Sequence, residues 1–441
     1  MPTAPKKVVN AWAMYDWANS AYNLVITSTI FPAYYVGITA AAANDVKFFG
    51  RSFVNTALQN YSLAVVFLLV AITSPILSSI ADYRRNKKMW LRLFCYIGSS
   101  ACVALFWFTK DNIEYGIIAF AIAAFGFWSS LVFYNSYLPD IAAPEDQDRI
   151  SAKGFSMGYI GSVLLQAICF VVILKPEWFG LNPEDKGIGA RISFLLTGLW
   201  WFGFSQITLR AMPTSTKKER QARKNVLVNG FHELGIVWKQ LSHMPSLKRF
   251  LLSFFLYSMG VQTVMLVAAG FAKKELFVRE EDEPKLLLTI ILIQLVAIIG
   301  AIGMSRLAKK IGSWWVLALT VTLWIFICVA GYHVQTQMQF YILAATVGMV
   351  MGGIQSMSRS TYSKLLPRTQ DTTSFFSFYD VSEKIAIVIG IFTFAYIEEK
   401  TENIRNSIIA IGAFFVVALL ALLYARKAVT RRLKEIENEV Y

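Results

Sequence analysis

Three short stretches of this chain set ionisable or amide side chains among apolar neighbours, and their spacing says what such groups can do. In YDWANSAYNLVIT, Asp16, Asn19, Asn23 and Thr27 recur at three- or four-residue steps, which puts them on one face of a helix. From Asp16 to Asn23 the stripe rises about 10 Å, well into the body of such a helix. In FFSFYDVSEKIAIVIG, Asp380 and Lys384 stand at i, i+4 and can neutralise each other, which leaves Glu383 without a local partner. A carboxylate in that position can exchange a proton or meet an amine. In GGIQSMSRSTYSK, Gln355 and Arg359 share a face, and the planar guanidinium of Arg359 suits a carboxylate. Asn135 and Gln262 complete the polar set. Each group also has a plainer reading. Asp16 can cap or pair at a helix end, Asn19 and Asn23 can bridge helices, Glu383 can pair with Arg359, and Arg359 can snorkel to an interface.

The elements that hold these groups follow from composition. Of 441 residues, 56% are hydrophobic and 16% charged, too little charge to cover a soluble surface of this size. The apolar residues come in runs of about 20, the length that crosses a hydrocarbon core as a helix. Twelve such spans are expected, near 14–37, 57–80, 89–108, 114–138, 155–174, 192–211, 250–271, 286–307, 314–332, 340–358, 375–397 and 406–425. Strand-length alternation of a barrel is absent. The fold class expected is therefore an all-α polytopic membrane protein.

Basic loops orient it. DYRRNKKMWLR after span 2 and SRLAKKIGS after span 8 are rich in Lys and Arg, whereas HVQTQMQ and EEKTENIRN are poor. The bias predicts that both termini are cytoplasmic. The net charge of +14 thus reflects topology and not a nucleic-acid partner. MPTAPKKVVNAWA lacks a signal-peptide pattern, so the first run reads as a retained helix. Cys95, Cys102, Cys169 and Cys328 sit inside apolar runs, and His232, His243 and His333 form no ligand pattern. Neither a disulfide framework nor a metal or other cofactor is expected.

The longest connection splits the spans six and six. The division expected is 1–211 for an N-terminal six-helix bundle, 212–249 for a central cytoplasmic loop, and 250–441 for a second bundle with a basic tail. PTSTKKERQARKN opens the loop as a basic linker; Leu227, Phe231, Leu234, Trp238 and Leu241 then share one helical face. That helix lies on the membrane surface or under the bundle. Gly154 with Gly158, and Gly348 with Gly352, allow close helix approach. The halves echo each other: IADYRRNKK matches MSRLAKKIG in place, and NSYLPDIA matches YSKLLPRT.

Twelve spans split this way, with an Asp–basic loop after span 2, look like the major facilitator superfamily. PILSSIADYRRNKKMW resembles that superfamily's loop motif. YDWANSAYN, FYNSYLPDIA, KGFSMGYIGS, YSMGVQT, GGIQSMSRSTYSKLLP and FFSFYDVSEK together resemble the vacuolar amino-acid effluxer family linked to autophagy, and its bacterial relatives. The resemblance implies two pseudo-symmetric six-helix bundles that rock about a central site. It implies that spans 1, 4, 7 and 10 line the pathway, which makes Asp16, Asn19, Asn23, Asn135, Gln262, Gln355 and Arg359 the expected ligand contacts. Asp380, Glu383 and Lys384 are the accompanying substrate or coupling candidates. It also implies a gating role for Asp82, Arg84, Arg85 and Lys88.

GxxxxGK[ST], HExxH and CxxC are absent from the chain, and GFSMG at 154–158 spells GxSxG at the start of an apolar helical run and not at a strand-to-helix turn, so neither ATP hydrolysis nor enzyme chemistry is suggested. The function expected is secondary active transport of a small solute, an amino acid or peptide, by alternating access coupled to protons. Multidrug-type efflux of amphipathic compounds and a non-transporting membrane sensor or scaffold are the alternatives. A monomer in the lipid bilayer of a bacterial inner membrane is the expected setting.

Overall fold

The computed structural model describes every residue except 1, 40–44, 183, 184, 186, 214–225, 280, 281, 368 and 439–441. The chain is almost entirely helical. The first half contains α1 (Lys6–Tyr22), α2 (Phe31–Thr39), α3 (Asn55–Tyr83), α4 (Lys87–Ala104), α5 (Ile113–Asn135), the short α6 (Leu138–Ile141), α7 (Gln147–Leu174) and α8 (Ile188–Ala211). After α9 (Val226–Ser242) come α10 (Pro245–Glu275), α11 (Glu283–Ile311), α12 (Ser313–His333), α13 (Gln337–Leu365), α14 (Thr372–Thr401) and α15 (Ile404–Asn438). Among the described residues ten helices are long and apolar enough to cross a membrane. The first pass, α1 to α2, is interrupted, and α14 carries three charges in its body; these two complete the twelve. The helices outrun the apolar runs by several residues because amphipathic turns continue them beyond the hydrocarbon.

Two features depart from regular passes. Residues Asn23–Ile30 wind as a π-helix between α1 and α2. Ser28 Oγ donates to the Asn23 carbonyl and Thr29 Oγ1 to the Leu24 carbonyl, each five residues back, and Thr29 Oγ1 also reaches Gln166 on α7. Wide turns of this kind shift the face that later residues present. Beyond the first pass, β1 (Asp45–Phe48) and β2 (Arg51–Val54) form an antiparallel hairpin, among the described residues the one element outside the expected all-α class. Phe49 and Gly50 close it with φ of 47° and 78°, the two positive values that a type I′ turn requires.

Buried apolar residues form two clusters, one running from Val9 to Met212 and the other from Val237 to Val429 with Val132 and Tyr159 added. The seam between them is made chiefly by α3 against α14 and by α7 against α11 and α13. The start of α1 and the last turns of α15 lie on one end of the bundle, the terminal face. On that side α9 packs against α3 and α14, with Val237 and Leu241 buried. Trp238 is 61% exposed and leans over Phe378 of α14 at 5.6 Å. The amphipathic helix therefore lies against the bundle, with part of its apolar face turned outward. The basic linker before it and the side chains of Leu227 and Phe231 lie outside the described residues.

Lipid supplies little drive for apolar helices to associate, so close backbone approach has to supply it. A Cβ at Gly352 would stand 2.1 Å from the Ala297 carbonyl oxygen, and one at Gly300 2.0 Å from that of Met349. Gly352→Ala and Gly300→Ala should thus each cost about 1–3 kcal/mol by overpacking. Thermal unfolding in detergent should show a lower midpoint for both. Gly303→Ala, which meets nothing within 4 Å, should not lower it.

Candidate functional site

A cavity of about 160 Å³ lies between the two clusters. Its walls come from α1, α5 and α7 on one side and α10, α11, α13 and α14 on the other. Seven of the residues singled out in the sequence line it: Asp16, Asn23, Asn135, Gln262, Gln355, Arg359 and Glu383. Four do not. Asn19 and Thr27 are buried against protein, and Asp380 and Lys384 sit behind the wall. On the first pass Ser20, not Asn19, stands on the cavity side with Asp16 and Asn23, so the stripe runs one position differently from its simple helical reading. The spacing of polar residues gives no sign of Trp128, Tyr159, Tyr257 and Tyr379, which form much of the wall; aromatic residues on a membrane helix look like packing.

The floor of the cavity is built around Arg359. Its Nη1 donates to Asp16 Oδ2 at 3.1 Å and Asn135 Oδ1 at 3.2 Å. Its Nη2 donates to the same Asp16 oxygen at 3.2 Å and to the Ser151 carbonyl at 2.8 Å, and Nε donates to Ser151 Oγ at 3.0 Å. All five donors of the guanidinium therefore have acceptors. Tyr134 donates its hydroxyl to Asp16 Oδ2 at 2.8 Å, and the rings of Trp12, Tyr134 and Phe155 cover the guanidinium at 4.8, 5.5 and 4.1 Å. This corrects the expectation that Arg359 offers its fork to a ligand: in this conformation the fork closes the seam. Ser151 and Tyr134 escaped notice in the sequence, since neither type is unusual in such a helix. Just above, Tyr159 donates to Gln355 Oε1 at 2.7 Å across the halves.

In α14, Lys384 pairs with both acids, at 3.0 Å from Asp380 Oδ1 and 2.8 Å from Glu383 Oε2. Gln262 Nε2 donates to Glu383 Oε1 at 2.8 Å. Glu383 is thus not without a local partner; its neighbour in the chain supplies one. Lys384 also lies 4.0 Å over the Trp128 ring. The Glu383 side chain is 18% exposed against 1% for Lys384, so of the three charges only Glu383 faces the cavity.

Nearer the terminal face the halves are tied by helix ends. The first residues of α14 present backbone N–H groups that no side chain of their own helix caps. Asp82, at the end of α3 in the other half, accepts from Thr373 N, Ser374 N and Ser374 Oγ at 3.3, 2.6 and 2.7 Å. Lys87 bonds Asp140, the Ser136 carbonyl at 3.0 Å and Thr372 Oγ1 at 3.1 Å. Asp148, at the start of α7, meets Ser313 Oγ at 2.8 Å and Lys364 Nζ at 2.6 Å. Of the loop residues expected to gate, Asp82 spans the seam. Lys88 instead donates to the Met212 carbonyl within its own half, and Arg84 and Arg85 form no ion pair among the described residues. The lysine that crosses is Lys87, and Asp148 adds a second tie that the loop's sequence did not indicate. Among the described residues, the side-chain hydrogen bonds between the halves lie at the floor of the cavity or on its terminal side, apart from Tyr159–Gln355 just above the floor.

Comparison with known proteins agrees with this architecture. The family described as "Vacuole effluxer Atg22 like" matches residues 4–434. The MFS-type transporter YxiO of Bacillus subtilis (strain 168) is 28% identical over 436 residues, covering 98% of each chain. Autophagy-related protein 22 of Kluyveromyces lactis is 26% identical over 476 residues, 95% of this chain and 93% of its own. Among solved structures, the E. coli fucose:proton symporter FucP has a TM-score of 0.67 at 12% identity, covering 95% of this chain and 97% of its own. The proton:xylose symporter XylE reaches 0.70 at 12% identity, covering 94% of each chain; at that identity the likeness concerns the fold. With nearly its whole length matched, the chain belongs to the Atg22-like family of major facilitator secondary transporters.

Proposed function

We propose that the chain carries one small solute at a time by alternating access, and that protons exchange at the Asp380–Glu383–Lys384 cluster during the cycle. The observation that carries this reading is the cavity between the halves above a seam whose side-chain hydrogen bonds, among the described residues, lie at its floor or towards the terminal face apart from Tyr159–Gln355 just above the floor. Such an arrangement leaves the cavity reachable from the face opposite the termini while the terminal face is shut. The basic loops after α3 and α11 support a cytoplasmic terminal face, and the family description of an effluxer supports export. Conversion to the other state requires the Asp16–Arg359, Asp82–Ser374 and Asp148–Lys364 bonds to open together. Glu383 and Asp380 share one lysine, so the cluster keeps a surplus negative charge unless a proton or another cation joins it. Carrying that surplus through an occluded state is costly, and protonation removes the cost.

Met265 lines the cavity on α10, and a cysteine there reports which side has access. With Met265→Cys, an impermeant maleimide should react faster from the face opposite the termini. Asp82→Ala removes the cap on α14 and should shift the balance by about 1 kcal/mol, roughly fivefold, towards labelling from the terminal face. Equal reactivity from both sides in the parent, or no shift in the variant, would sink the latch reading.

The same cysteine tests the proton site without any solute. Neutralising the cluster favours occlusion, so labelling from the open face, divided at each pH by the rate for a free thiol because maleimide reacts with the thiolate, should slow as pH falls. Glu383→Gln, a fixed mimic of the protonated acid, should label slowly at every pH. If Glu383→Gln keeps the parent's pH dependence, the proton exchanges elsewhere.

A further inference from the structure

We infer that the solute is a monovalent organic cation, an amine or ammonium on a body about the size of one aromatic ring, whose charge replaces a proton at Glu383. This rests on the carrier reading above and names the substrate class of the same cavity. Among the described residues, three carboxyl or guanidinium groups line the cavity: Asp16, Arg359 and Glu383. The first two form a neutral pair, with every guanidinium donor taken and its faces covered by rings. Among the described residues, no lysine or histidine lines the wall. A carboxylate on the solute would therefore enter a low-dielectric space without a counter-charge or a free charged donor, which is strongly disfavoured.

A positive charge finds the opposite. Glu383 reaches the cavity, and Lys384 behind it is divided between two acids. Around Glu383 the other groups are neutral: Gln262 donates to it from α10, and the Trp128 ring of α5 lies on the lysine. α3 and α5 carry acid or base groups only towards their ends, Asp82 and Glu114. The walls add the ring faces of Trp128, Phe155, Phe254, Tyr257 and Tyr379, which attract cations. Two of these rings already hold the protein's own cations, Lys384 on Trp128 at 4.0 Å and Arg359 on Phe155 at 4.1 Å. Cavities of roughly 150 Å³ accept a molecule the size of benzene, which sets the size of the body.

The exchange balances in charge. Protonated Glu383 beside the Asp380–Lys384 pair is neutral; the arriving cation displaces that proton to water and leaves Glu383 ionised against the cation, again neutral. One proton is exchanged for one cation with no net charge moved. A pH difference drives such a cycle, and a membrane potential alone does not.

Three probes with the same ring separate the possibilities: phenethylamine, phenylalanine and 3-phenylpropionate, each tested for counterflow in liposomes containing the full chain. Saturable phenethylamine counterflow is expected, with phenylalanine weaker by at least about tenfold and 3-phenylpropionate inactive. Glu383→Gln should weaken phenethylamine by roughly tenfold to a hundredfold. Uphill phenethylamine movement should follow an imposed pH difference and stay unchanged under a potassium–valinomycin potential. Phenylalanine moving as well as or better than phenethylamine overturns the cation assignment while keeping the carrier. No counterflow of any probe also overturns it, and the Met265→Cys labelling then decides separately whether the carrier reading stands. A rate that responds to potential alone overturns the one-for-one exchange.

Discussion

The buried pair of Asp16 and Arg359 is the interaction around which the rest is arranged. It joins the first and tenth passes across the seam, with both groups almost wholly removed from water. Desolvating two charges is costly, and the pair is tolerable only because every remaining donor is met and three rings enclose the cation. The neighbouring backbone is shaped to it. A Cβ at Gly154 would lie 2.4 Å from Asp16 Oδ2 and 2.8 Å from Arg359 Nη2, so that glycine makes room for the pair itself. Gly158 and Gly161 serve the ordinary purpose of bringing α7 onto α1, against Asp16 O and Trp17 O. Opening the pair exposes two charges together, which favours two discrete arrangements over gradual sliding.

Helix ends close the terminal face in two related ways. At the α3–α14 seam the acid sits on the end of α3 and caps the start of α14. At the α7 seam the acid sits on the start of α7 and reaches the start of α12 and the end of α13. The loop after α11 contains no acid to match Asp82 because its partner helix carries one. An orphaned helix N-terminus needs an acceptor from somewhere, and here an opposing half supplies it, so the cap exists only while the face is shut.

Much of the architecture was legible because hydrophobic run length and polar interruption respond to the membrane directly. Twelve passes and the central break can be read that way. The charged stretches were also visible, since an acid within an apolar run is conspicuous. What escaped was depth and direction. Arg359 looks from the sequence like a residue that could reach an interface or a ligand, and only the position of α7 shows that Ser151 takes two of its donors. The stripe on the first pass was displaced by one position, and the wide turns from Asn23 onward depend on Thr29 finding Gln166, a partner 137 residues away. Lys87 and Lys88 are adjacent and alike; which one crosses the seam is set by the rotation of α4.

The two charge clusters divide the work by their stoichiometry. One acid against one base at Asp16–Arg359 is self-contained, so neither proton nor solute has much to change there. Two acids against one base on α14 leave a surplus that any single positive charge can settle. That variable charge sits on the same helix whose first turn is held by Asp82. A rigid helix cannot adjust its middle without moving its end, so on the proposed reading, neutralising Glu383 and loosening the cap become two faces of one displacement. Coupling then needs no relay of side chains through the core. It needs only that α14 stay a straight rod from Thr372 past Lys384, which its unbroken, proline-free run through that region allows.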